Sequence, residues 1–338
     1  MRVINTEDAV GMVLCHDMTQ IIPGEYKDAR FRKGHIVTKE DIPVLLSMGK
    51  ERLYVWEMQE GILHENDAAL RMCNMCISDG MTRSEVKEGK IEIKSLVDGL
   101  FVVDTKKLNA INTIDDLMIA TRHGNTLVKP GDKLCGTRVI PLVIEEEKIM
   151  QAEKITEGKP ILSVMPLKLK RAGIITTGSE VFHGRITDSF TPVVKKKLLN
   201  VGIETIKHIT LNDGIDNIVA AINEMRSSDV DIIICTGGMS VDPDDNTPGA
   251  IKKAGANIVT YGAPVLPGAM FLLGYFDDMP IMGLPGCVMY AKATIFDMVL
   301  PRVAAGVKLT KRDFVEMGEG GLCLGCDSCH FPNCGYGK

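Results

Sequence analysis

Cys235-Thr236-Gly237-Gly238-Met239-Ser240-Val241-Asp242-Pro243-Asp244-Asp245-Asn246-Thr247-Pro248 is the stretch on which the fold turns. It follows Val230-Asp231-Ile232-Ile233-Ile234, an apolar run that reads as a strand buried on both faces of a parallel sheet. After it, residues 247–254 read as a helix entered through a proline in its first turn. A glycine pair between strand and helix lets backbone N–H groups face an anion. Asp242, Asp244 and Asp245 stand where a phosphate-bound cation would be met.

Outward from this stretch the pattern alternates. Residues 172–175 and 204–209 read as strands, and residues 216–225 as a helix. Such alternation predicts an α/β domain, a mostly parallel sheet flanked by helices, with a site built from loops at the carboxyl ends of the strands. Three more such loops can be marked: Thr176-Thr177-Gly178-Ser179-Glu180, Leu211-Asn212-Asp213-Gly214 and Gly283-Leu284-Pro285-Gly286. The last is expected to precede a long helix, residues 291–303. Asp188-Ser189 opens another helix. Ahead of the domain lies a smaller β-rich α+β region, residues 1–165, with strands expected at 12–18 and 53–56 and helices at 39–49, 65–78 and 145–156. The charged and proline-bearing segment 157–171 reads as the boundary.

Composition narrows the classes. A chain of 338 residues, 45% hydrophobic with 33 glycines, is globular and long enough for two or three domains. Its net charge of −5 offers no broad cationic face for nucleic acid. No apolar run approaches a membrane span, and the opening Met1-Arg2-Val3-Ile4-Asn5 lacks the pattern of an export signal, so a cytoplasmic location is expected. Ten cysteines in that setting point to reduced thiols or metal ligands. Cys323, Cys326, Cys329 and Cys334 read C-x2-C-x2-C-x4-C, beside His330. Thiolates so spaced can converge on one centre, so residues 320–338 are predicted to be a metal-binding tail carrying zinc or an iron–sulfur cluster. Cys73 and Cys76 form a further C-x2-C on an apolar helix, where small buried side chains are the simpler reading.

Over residues 171–306 the TGSE loop, the Asp-Ser step, the TGG loop with its acidic run and the GLPG turn, in this order, resemble the molybdopterin-binding family of molybdenum cofactor biosynthesis. The resemblance implies an enzyme that binds molybdopterin or its adenylate and inserts molybdate with release of AMP, assisted by magnesium. It implies that Asp245, with Asp244 one position away, and Asp213 serve the phosphate chemistry, and that Glu180 is the acid of the first loop. Thr177, Gly178 and Ser179, Asp188 and Ser189, and Thr236, Gly237, Gly238, Met239 and Ser240 would contact the ligand. Gly283, Pro285 and Gly286 would form the opposite wall. Local chemistry offers plainer roles: Asp245 as a helix cap, Asp213 as an Asp-Gly turn, the glycines as tight packing.

Two departures leave the reaction open. The Ser-x-Met-Asp-Gly stretch of the molybdenumtransferase branch is missing, and the PDDNTP ending of the TGG loop is more similar to the adenylyltransferase and CinA-like branches. An adenylyltransferase, a nucleotide hydrolase, or a non-catalytic carrier or sensor docking a molybdoenzyme through its tail therefore stand as alternatives. The family also implies a homo-oligomer.

Overall fold

Every residue of the strand Ile232–Thr236 is buried, because helices cover both faces of the sheet in which it is central. The computed structural model of the chain describes residues 2–22, 26–55, 60–240 and 245–338. They divide into two compact units, the second made of Val97–Val102, His123–Lys129 and Val164–Lys338.

The sheet of the second unit has six strands: β1 (Arg171–Thr177), β2 (Glu204–Leu211), β3 (Ile232–Thr236), β4 (Asn257–Tyr261), β5 (Leu272–Phe276) and β6 (Met279–Leu284). Their spatial order is β2-β1-β3-β6-β5-β4. β2, β1, β3 and β6 run parallel, and β5 and β4 turn antiparallel at one edge. Between them lie α1 (Ser179–Phe182), α2 (Phe190–Leu199), α3 (Ile215–Arg226) and α4 (Thr247–Lys253), and after β6 come α5 (Ile295–Ala304) and α6 (Lys311–Val315). The period of two along β3 sorts its side chains between two cores. Ile232 and Ile234 join Val194, Leu198, Phe296 and Val299 on one face. Ile233 and Cys235 join Ile218, Ile222 and Ile251 on the other. Each fully buried aliphatic side chain of this kind stabilises by about 1.5–3 kcal/mol. Burial also pushes the Cys235 thiol up to about 12, which makes it an inert packing group.

The chain leaves β1 to one side, for β2, and leaves β3 to the other. The carboxyl ends of β1 and β3 therefore flank the topological switch point, where open α/β sheets form their crevice. Register sets the loops side by side: Thr176 lies across from Thr236, and Thr236 from Leu284.

The helix expected at residues 291–303 is a correction. GLPG leads into a single 3-10 turn, Gly286–Met289, and α5 starts only at Ile295. Thr294 decides this start: its hydroxyl accepts from Phe296 N while Asp297 returns a bond to Thr294 N, a capping box.

The first unit comprises Met1–Leu96, Val103–Arg122 and Pro130–Ser163. A four-stranded antiparallel sheet orders Met81–Arg83, Lys90–Ser95, Lys133–Val139 and Leu117–Thr121. The helix Glu65–Cys76 packs on it and buries Cys73 and Cys76. Hydrogen bonding with Cys135, with burial, raises the Cys76 thiol, the condition of an unreactive core cysteine. The strand expected at 12–18 is also corrected: Val13 and Leu14 make only isolated bridges, and the strand is Met18–Ile22, paired with Tyr26–Phe31. The segments 97–102 and 123–129, expected in the N-terminal region, belong to the second unit, where Leu100 pairs with Leu127. Residues 320–338 also fall within the second unit.

Candidate functional site

Gly237 cannot be another residue without moving its neighbour. Its φ is +84°, and a Cβ there would lie 2.1 Å from the Thr177 carbonyl oxygen. β1 and the loop after β3 thus approach as closely as two backbones can. Gly238, at φ +56°, leaves room for the Thr247 hydroxyl, which would stand 2.9 Å from a Cβ. Thr247, fully buried at the start of α4, donates from Oγ1 to the Gly237 carbonyl at 2.8 Å and from N to the Gly238 carbonyl at 3.1 Å. Its hydroxyl is 3.4 Å from that of Thr177. The glycine loop is therefore fixed from below by the helix it leads into.

Asp213 closes the other side. Its Oδ2 accepts from Ser179 N at 2.9 Å and from Ser179 Oγ at 3.0 Å, and Asn246 Nδ2 donates to its carbonyl at 2.8 Å. The loops after β1, β2 and β3 are so joined by Asp213 and Asn246. Gly178, at φ +140°, makes the turn that aims Ser179 this way. Glu180 is exposed on α1, outside these bonds. Asp245 is half-buried beside Asn246. Asp244 lies outside the described residues.

A buried lattice of hydroxyls supports these loops. Thr236 Oγ1 donates to Thr176 Oγ1 at 3.2 Å, and Thr176 is 3.0 Å from Thr191 Oγ1 and 2.9 Å from His208 Nε2. Thr236 is therefore spent on the lattice and not turned to the crevice. Asp188 caps α2, its Oδ1 accepting from Phe190 N and Thr191 N at 2.9 and 3.0 Å. Its Oδ2 is buried with no hydrogen-bond donor among the described residues, 4.0 Å from His208 Nε2. Burial works to raise the Asp188 carboxyl, but the hydrogen bonds from Thr191 and Phe190 and the nearby His208 hold it below the usual range. Burial lowers the His208 imidazole, against the pull of Asp188. Ser189 Oγ meets Met289 Sδ at 3.1 Å, which sets the Asp-Ser step against the turn after GLPG.

The remaining expected residues divide. Met239 is buried with its sulfur over Gly283, where a Cβ would come within 2.5 Å of it, so both hold β6 against the loop. Ser240 is exposed, Pro285 buried and Gly286 open to solvent. Sequence reasoning missed Thr247, Asn246, the Thr176–Thr191–His208 lattice and Tyr261. The Tyr261 hydroxyl donates to the Met239 carbonyl at 3.1 Å and latches the loop from the far edge. Burial, then the Asp245 carboxylate, pushes its phenol up. Thr247 and Asn246 had a signal in the sequence, the Asn-Thr-Pro helix start; Tyr261 had none. Among the described residues, no group of three or more His, Cys, Asp or Glu is gathered to hold a metal ion, and no helix is long and apolar enough to cross a membrane.

Tight glycine loops at the switch point of a parallel sheet, with carboxylates at their rims, define an α/β domain of the kind that binds phosphorylated ligands. Residues 173–305 match the family described as a probable molybdopterin binding domain, and residues 3–57 match one described as a domain of unknown function. Over residues 173–305, within the second unit, the chain is similar to the molybdopterin-binding family of molybdenum cofactor biosynthesis. A molybdopterin molybdenumtransferase from Bacillus subtilis is 29% identical over 131 residues, 37% of this chain and 30% of its own length. A CinA-like protein from Mycobacterium marinum is 41% identical over 84 residues, 25% of this chain and 20% of its own. The chain thus spans under a third of these curated relatives. The crystal structure of the molybdopterin biosynthesis enzyme MoaB from Thermus thermophilus aligns with 42% of this chain and 99% of its own, at 18% identity and a TM-score of 0.34.

Proposed function

We propose that the second unit binds molybdopterin or its adenylate across the carboxyl ends of β1 and β3, and that the chain inserts molybdate with release of AMP. The observation that carries this reading is the rigid pairing of the Gly237–Gly238 loop with the Ser179–Asp213 clamp at the switch point. Loop amides held in place before the ligand arrives need no reorganisation to stabilise charge developing on a phosphate. Asp245, at the rim, is proposed to act directly on the reacting phosphate. Asp213 is proposed to position Ser179.

Magnesium, when bound, would neutralise charge on the phosphate oxygens. The described side chains do not cage a cation by themselves, which suits an ion that arrives on phosphates and takes one or two carboxylates from the protein. Asp245 would hold it. A second copy of the chain and a molybdoenzyme that receives the product are the proposed partners.

The similarity to CinA-like proteins and the PDDNTP sequence support a second reading, cleavage or formation of a nucleotide phosphoanhydride. One assay separates the two. Protein, adenylated molybdopterin and magnesium are mixed with and without molybdate, and AMP is measured. AMP release that requires molybdate is the expected result. Release without molybdate, or adenylate formation from ATP, would favour the second reading. Binding without turnover would mean a carrier.

A further inference from the structure

Residues 323–338 contain no helix or strand, yet both ends of this segment are tied down. At the entrance, Leu322 bridges Leu266, Leu266 N donates to the Gly321 carbonyl at 2.7 Å, and Cys323 N donates to the Leu266 carbonyl at 2.8 Å. At the exit, the Tyr336 hydroxyl donates to the Pro267 carbonyl at 3.2 Å and Gly337 N to the Gly320 carbonyl at 2.9 Å. Gly320 and Gly337 are thus in contact, and the residues between them form a closed loop. Tyr336 is buried, and Cys323, Phe331 and Cys334 pack against the same core as α5.

Between these anchors little holds the loop. Among the described residues, the one main-chain hydrogen bond within 324–335 runs from Asn333 N to the His330 carbonyl. Cys326 and Cys329 are exposed, as is Leu324 at 84%. A loop of this length with pinned ends and no internal ladder is the kind that a ligand or a function orders. Its four thiols are separated by two, two and four intervening residues, and the two at its base are already positioned by the core.

We propose that Cys323, Cys326, Cys329 and Cys334 together bind one thiophilic metal centre, a zinc ion or an iron–sulfur cluster, on the second unit. Cys323 and Cys334 form the fixed half of the site. Cys326 and Cys329, within three residues of neighbouring ligands, turn inward from the surface to complete it. In the conformation described the four sulfurs are not gathered, so binding and ordering of the loop are one event. Each ligating thiol gives up its proton to solvent, and affinity falls as pH drops. Both centres share this tetrathiolate chemistry. The inference is independent of what the carboxyl-edge loops bind.

The test uses the full-length protein, purified anaerobically and analysed for zinc, iron and acid-labile sulfide, with alkylation mapped by mass spectrometry before and after chelation. We expect near-stoichiometric zinc, or iron with matching sulfide, and labelling of Cys326 and Cys329 only after chelation. The buried Cys15, Cys73, Cys76, Cys135 and Cys235 are internal controls that stay unlabelled throughout. The double variant Cys326→Ser with Cys329→Ser should lose the metal and keep its far-ultraviolet circular dichroism, because both side chains lie outside the core. Absence of both metals, metal retained in the double variant, or labelling of Cys326 and Cys329 that ignores chelation would each overturn the proposal.

Discussion

The second unit carries two loop systems built on opposite principles. The loops at the carboxyl edge are held from within, by Thr247 under the glycine pair, by Asp213 across Ser179 and by Tyr261 over Met239. Among the described residues, the hydrogen bonds that tie the cysteine loop to the rest of the unit lie at its base, to Leu266, Pro267 and Gly320, while Phe331 and Cys334 rest on the core. Internal bonds pre-organise the first for a ligand whose charge must be met at once. The second has no such ladder, which suits a ligand whose binding energy is itself the ordering energy.

Gly237→Ala attacks the first system hardest. The new Cβ would collide with the Thr177 carbonyl at a φ that alanine disfavours, so we expect a stability loss of about 3 kcal/mol or more by denaturant unfolding. A loss below about 1 kcal/mol, the scale of an ordinary point substitution, would mean the loop is softer than its hydrogen bonds suggest. The Cys326→Ser and Cys329→Ser double variant should leave the same unfolding curve unchanged in metal-free protein.

Asp245→Ala comes next. It should leave folding intact and lower turnover on the order of 100-fold, about 2.7 kcal/mol of transition-state stabilisation. Wild-type turnover with wild-type magnesium dependence would remove Asp245 from the chemistry.

Asp213→Ala strands the Ser179 amide and hydroxyl. Because the site is only half-buried, the expected cost is about 1 kcal/mol, with Asp213→Asn milder since it keeps an acceptor. Equal effects of the two variants on AMP release and none on unfolding would make Asp213 a reacting group in place of a clamp.

The smallest effect is on pH dependence. The His208 imidazole is held below the ordinary value by burial, so its contribution is complete above about pH 6.5 and is lost as pH falls through the lowered folded value. Asp188, depressed, contributes above about pH 4 and is lost on further acidification. Comparing unfolding of the native protein and His208→Asn between about pH 7 and 5, the range that brackets an ordinary imidazole, should show a shallower fall in the variant. A parallel fall in both would assign the acid sensitivity to other groups.

Much of the second unit was legible along the chain. Residues 216–225 and 230–234 read as helix and strand because apolar side chains repeat at the period each element imposes, and the observed spans are Ile215–Arg226 and Ile232–Thr236. The tight turn at Gly237–Gly238 was legible for the same reason, since a positive φ demands glycine locally. The start of α5 was misread at residue 291 because a capping box, with Thr294 and Asp297 three apart, outweighed the apolar run before it.

Composition, periodicity and local backbone sterics act within a few residues, so the α/β alternation, the glycine pair and the spacing of the tail thiols could be read along the chain. The tertiary structure alone decided which distant groups meet. Ser179 finds Asp213 34 residues away, Tyr261 at the end of β4 finds Met239, and the segments 97–102 and 123–129 join the second unit. Hydrogen bonds are short-ranged, so their partners are chosen by the packing of strands and helices, and no pattern along the chain records that choice.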